Sequence, residues 1–136
     1  MYKKASFVIL ILCLLFGCKS PVSTEKPKPK NVLSGNWSGT LTISALNQSG
    51  TINFTLSQSG ESFSGSFTTS TNRFGSISGT QLRQSISANL IFEDNCRGTA
   101  AISATLSDDK RSVVGQGTVY NDCIGSYNFA FTVYKK

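Results

Sequence analysis

The sequence predicts an all-β domain: an antiparallel, eight-stranded up-and-down barrel, with a two-sheet β-sandwich as the alternative. Three observations predict it. From Gly35 onward, apolar residues alternate with Ser, Thr, Gly or Asn in almost every segment, which is the period-2 signature of half-buried strands. The alternation falls into eight short sets separated by turn residues, the pattern of strands joined by hairpins. No window carries apolar residues at helical spacing. Closing such a meander removes the unpaired edges on which sheets aggregate. The outward face would be Ser and Thr, which argues against a membrane-spanning barrel, whose outer face must be apolar.

The eight sets follow in order. Trp37, Leu41 and Ile43 share one parity, as do Ile52, Phe54 and Leu56. Phe63 and Phe67 form the third set, and Ile77 between Gly75 and Gly79 the fourth. Ile86, Ala88, Leu90 and Phe92 are followed by Ala100, Ile102, Ala104 and Leu106. Val113, Gly115, Gly117 and Val119 precede the last set, Tyr127, Phe129, Phe131 and Val133. The breaks are Asn47 to Gly50, Ser59-Gly60, Thr71-Asn72, Glu93 to Asn95, Asp108-Asp109 and Asn121-Asp122. Gly supplies positive φ there, and Asn or Asp bond their own backbone. Leu-x-Gln-Ser-Gly occurs at Leu46 to Gly50 and again at Leu56 to Gly60. It reads as one turn chemistry at both ends of a short strand.

The domain occupies residues 31–136, and residues 1–30 are of a different kind. Lys3 and Lys4 precede a run of mostly apolar residues, Ala5 to Phe16, too short to span a bilayer as a helix, which needs ~20 residues. The run fits the apolar region of a secretory signal. Leu15-Phe16-Gly17-Cys18 resembles the lipobox of bacterial lipoproteins. The resemblance implies a signal peptide over residues 1–17, cut before Cys18, with Cys18 carrying a diacylglyceryl thioether and usually an N-acyl chain (palmitate among them). Two or three acyl chains at ~0.8 kcal/mol per buried CH₂ anchor a protein stably. The expected location is the cell membrane, lipid-anchored. Lys19 replaces the aspartate that retains such proteins in the inner membrane, which points to the outer membrane in a Gram-negative cell, with the domain in the periplasm or at the surface. Residues 18–30 hold all three prolines and four lysines and read as a flexible tether.

Gly35-Asn36-Trp37 resembles the Gly-x-Trp of the calycin barrels, lipocalins and avidins. That likeness implies that Trp37 plugs one end of an eight-stranded barrel. In lipocalins a late basic residue, usually arginine, packs on the tryptophan; here only Lys135 and Lys136 stand late in the chain.

Cys96 and Cys123 are the cysteines left after Cys18. A secreted chain meets an oxidising compartment, where two thiols pair. If Leu106 and Lys110 flank a hairpin turn, Cys96 falls opposite about Tyr120, and both cysteines lie at one end of neighbouring strands. The expected bridge then crosses a strand end, with the chain curling there.

Charge and composition exclude several activities. Of the net +6, the domain keeps only +1, from seven basic and six acidic residues, so no basic stripe of the kind nucleic acid requires is present. The chain has no histidine, which removes the usual general base and the Ser-His-acid arrangement. Glu93-Asp94 and Asp108-Asp109 flank one strand and lie about 30 Å apart, so they cannot converge as glycosidase carboxylates. Two cysteines without histidine make a poor metal site, and Glu93, Asp94 and Asn95 read as solvated turn residues. The domain is therefore expected to be non-catalytic, with no cofactor and no metal. The leading expectation is a binding module for a small apolar ligand inside the barrel, contacted by Trp37, Phe54, Phe63, Phe67, Tyr127 and Phe129. The inward small residues, such as Gly65, Gly75, Ala88, Gly115 and Gly117, either leave half the barrel open or interdigitate with the large ones in a closed core. The alternative is contact with an envelope protein as adaptor, protease-inhibitor-like or structural component. Phe74, Tyr120 and Tyr134, which break the inward parity, would make that surface.

Overall fold

The computed structural model describes residues 31–136. The leader, Cys18 and the tether lie outside the described residues. Eight strands follow one another: β1 (Gly35–Ile43), β2 (Gln48–Ser59), β3 (Ser62–Thr69), β4 (Phe74–Leu82), β5 (Ser85–Phe92), β6 (Gly98–Leu106), β7 (Ser112–Asn121) and β8 (Gly125–Lys135). Each pairs antiparallel with the next, and β8 pairs back onto β1, from Trp37 opposite Lys135 to Thr42 opposite Ala130. The barrel is closed and up-and-down, not a sandwich. Within the described residues the eight ladders close on themselves around one core cluster, the anatomy of a domain able to fold alone.

The alternation predicted from sequence is the burial pattern. β5 and β6 alternate exposed and buried residues along their whole length. The aromatic and aliphatic positions of every set face inward, including Trp37, Phe54, Phe63, Phe67, Phe129 and Phe131.

Two local readings are corrected. The β1–β2 turn is a short 3₁₀ segment, Ser44–Leu46, closed by Asn47 in the left-handed region at φ 48°, where asparagine is tolerated. Gln48 to Gly50 already belong to β2, which has 12 residues. The Leu-x-Gln-Ser-Gly phrases therefore mark the two ends of a long strand, and only the second closes on a turn glycine, Gly60 at φ 63°. Second, the β6–β7 connection runs Ser107 to Arg111, with Leu106 opposite Val113. The turn is longer than a Leu106–Lys110 hairpin and shifts the register by three residues. Gly98 pairs with Asn121; the same register two residues further brings Cys96 opposite Cys123. The two are joined as a disulfide with Cα atoms 5.5 Å apart. The bridge extends the β6/β7 ladder past its end and needs no curl across a third strand.

The inward glycines are occupied space. Gly115 pairs with Phe131 and Gly117 with Phe129. A Cβ at Gly115 would meet the Phe131 ring at 2.5 Å, and one at Gly117 the Phe129 ring at 2.8 Å. Each ring lies over the glycine of the neighbouring strand, covering backbone that has no side chain of its own. On this wall large and small residues interdigitate.

Candidate functional site

The two ends of the barrel differ. One end holds residues 31–34 and the turns at Gly60-Glu61, Arg83-Gln84 and Ser107 to Arg111. The other holds the turns at Ser44 to Asn47, Ser70 to Arg73, Glu93 to Arg97 and Asp122 to Ile124.

The first end is plugged. Trp37 and Leu33 are each only 1% exposed. The Trp37 indole N–H donates to the Leu33 carbonyl at 2.8 Å, and Lys135 Nζ stands 5.6 Å from the Trp37 ring centroid while donating to the Val32 carbonyl. A late basic residue therefore does pack on this tryptophan, and it is a lysine. Gln58, a buried polar residue, accepts from Leu33 N–H and donates to Gly60 O and Gln81 Oε1. It satisfies the backbone of the plug, as a buried amide must. Behind the plug, Trp37, Phe54, Phe63, Ile77, Ile102 and Phe131 enclose a residual space of only about 30 Å³. This half is filled core.

The opposite half is open. A cavity of about 210 Å³ lies between the strand ends. Its lower wall is Ile52 of β2, Phe67 of β3, Leu90 of β5, Val119 of β7 and Phe129 of β8. Nearer the mouth come Leu41 and Ile43 of β1, Phe92 of β5 and Tyr127 of β8. Leu46 and Ile124, from two different turns, complete the rim, and Ile124 is largely exposed. Of the six residues expected to contact a ligand, the structure brings Phe67, Tyr127 and Phe129 to this cavity. Trp37, Phe54 and Phe63 belong to the filled half, because the plug and the rings of Phe54 and Phe131, 5.8 Å apart, close the space between them.

Among the described residues one charged side chain lines the cavity, Arg73. It follows Asn72, whose φ of 60° turns the chain sharply after β3. Its Nε donates to Asp94 Oδ2 at 2.7 Å, and its Nη2 to the Cys96 carbonyl at 2.7 Å. Its guanidinium carbon lies 4.3 Å from the centre of the Phe92 ring, within the reach of a cation–π contact. Asp94 is thus no solvated turn residue: its side chain is 9% exposed and it also accepts from the Cys96 and Phe74 N–H groups. Burial pushes the Asp94 carboxyl up, but the Arg73 hydrogen bond, the two backbone N–H donors and the Arg73 charge outweigh it and hold it below its ordinary value. No local signal marks the pair: Arg73 and Asp94 are 21 residues apart and meet only because β4 and β5 are paired.

On the other side of the mouth, Asn121 Oδ1 accepts from the N–H groups of Cys123 and Ile124, fixing the turn that carries Ile124. The disulfide ties this turn to the Glu93–Arg97 loop, so both are held rigidly at the rim. Among the described residues no cluster of three or more His, Cys, Asp or Glu is placed to hold a metal ion.

Phe74, Tyr120 and Tyr134 are all exposed, but they do not form one patch. Tyr134 pairs with Ser112 at the plugged end. Phe74 and Tyr120 sit at the mouth end, with exposed Ile91 on β5 between their strands. No family model, curated protein or solved structure matches this chain.

Proposed function

We propose that this chain is a non-catalytic, membrane-anchored envelope lipoprotein whose barrel takes a small apolar molecule through its open end. The observation that carries the ligand reading is the cavity of about 210 Å³, mostly apolar and aromatic in its walls, with Gln48, Thr69, Thr71 and Arg73 as its polar lining, and open at one end. Ligand sites are concave and mostly apolar with a few placed polar groups. An engineered 150 Å³ apolar cavity is known to take benzene, so this space suits one ring system or a short chain. The anchor rests on the lipobox-like Leu15 to Cys18.

Native mass spectrometry of the full chain, extracted gently from its own envelope, tests the ligand. The expected result is an added mass that disappears on denaturation, and that is absent from Val119→Phe, which fills the cavity. A bare mass for the unmodified protein counts against the reading. For the anchor, Cys18→Ala should leave the membrane fraction, and retention there would overturn it. A second reading, contact with an envelope protein, is favoured only by the exposed Phe74, Ile91 and Tyr120 at the mouth end.

A further inference from the structure

We propose that the ligand is a neutral amphiphile, with an apolar body in the cavity and one uncharged oxygen acceptor held at the mouth by Arg73. The proposal deepens the ligand reading above and rests on it.

A guanidinium carries five N–H donors in a fixed fork. Arg73 spends one on Asp94 and one on the Cys96 carbonyl. Three are uncommitted among the described residues, on a group that lines the cavity. Its position is fixed twice over, by those two bonds along its edge and by the Phe92 ring against its face. The mouth therefore presents pre-oriented donors, which call for an acceptor on the ligand.

The charge decides which acceptor. The Arg73 cation is already neutralised by Asp94 at 2.7 Å, and among the described residues no other charged side chain lines the cavity. A carboxylate entering beside this pair would give up its water and gain no net counter-charge, with the Asp94 carboxylate as its neighbour. Burying an uncompensated charge is far costlier than burying a hydroxyl or carbonyl that finds a donor. A ligand cation would meet the guanidinium itself. A hydroxyl, ester, ketone or amide oxygen satisfies the donors at the lowest cost. By comparison with the benzene-sized cavity above, the apolar body is about six to ten carbons.

Octan-1-ol and octanoate share one tail and differ in the charge of the head. Titration calorimetry of residues 31–136 at neutral pH, where octanoate is ionised, should show octanol binding about tenfold more tightly. Asp94→Asn keeps an oxygen for the Cys96 N–H but leaves Arg73 without its counter-charge. In that variant the order should reverse. Partial unfolding would weaken both compounds or let both bind exposed apolar surface through the shared tail, and would not reverse their order. Equal or tighter octanoate binding to the unmodified domain would overturn the proposal while leaving the ligand reading intact. So would an unchanged preference in folded Asp94→Asn. If neither compound binds, the ligand reading fails and this proposal with it. Should Asp94→Asn not fold, the comparison on the unmodified domain still decides.

Discussion

Replacing Trp37 by alanine is expected to cost about 3–5 kcal/mol of folding stability, the range for deleting a buried large aromatic side chain. The site cannot collapse to fill the gap. Trp37 lies opposite Phe54 on β2 and opposite Lys135 on β8, so the strands on both sides are held by ladders that close around the barrel. Its N–H also anchors Leu33, and Leu33 N–H is in turn received by Gln58. The variant therefore loses side-chain volume, strands the Leu33 carbonyl and loosens the segment covering the end. Trp37→Phe separates these terms: it keeps most of the ring and loses the hydrogen bond. Leaving a buried acceptor without its donor costs about 1–3 kcal/mol. Urea unfolding followed by circular dichroism measures both, since Trp37 is the only tryptophan and its fluorescence is lost in the variants. A cost for Trp37→Ala below that for Trp37→Phe would mean that the end is not plugged as described.

Much of this architecture is legible in the sequence because it depends on a local period. Alternation names the inward residues of each strand, and a closed meander is the arrangement that leaves no edge. The identity of the filled half is less legible. Trp37, Phe54, Phe63, Phe67, Tyr127 and Phe129 all have inward parity, and parity does not tell a position near the plug from one near the mouth. That depends on register and strand direction. Phe67 and Phe63 differ by two periods of the alternation, yet the first lines the cavity and the second the filled core. The register itself depends on turn lengths, and one turn taken too short displaced Cys96 by three positions. The polar groups were illegible for another reason. Arg73 and Asp94 sit in two different turns, and Gln58 stands in a stretch that reads as ordinary strand. Each acquires its role from a residue more than 20 positions away. Leu33 lies before the first alternating set, where no period marks it.

Removing the disulfide with Cys96→Ser and Cys123→Ser together should lower stability by about 3–4 kcal/mol, from the loop-closure entropy returned to the unfolded chain. The bridge spans 27 positions, and the β6/β7 register already sets the two residues opposite each other. The folded state is therefore not distorted to make the bond, and most of the entropic gain should be realised. The rest of the barrel does not depend on the bridge. All eight ladders close without it, so the variant should remain folded at moderate temperature and unfold earlier in urea. The loss should also be uneven along the barrel axis. Cys96 carries the carbonyl that receives Arg73, and the turn holding Cys123 carries Ile124 at the rim. Amide hydrogen exchange should rise at residues 93–97 and 121–125 and stay unchanged around Trp37 and Leu33, where no contact passes through the cysteines. Octanol affinity should fall with it, because the backbone carbonyl at position 96 that receives Arg73, which serine retains, is held less firmly once the bridge is gone. Equal stability with and without the bridge would refute the entropic account. Two thiols alkylated in the unreduced, denatured domain would refute the bridge itself. Exchange that rises equally at both ends would mean that the plug and the mouth form one cooperative unit.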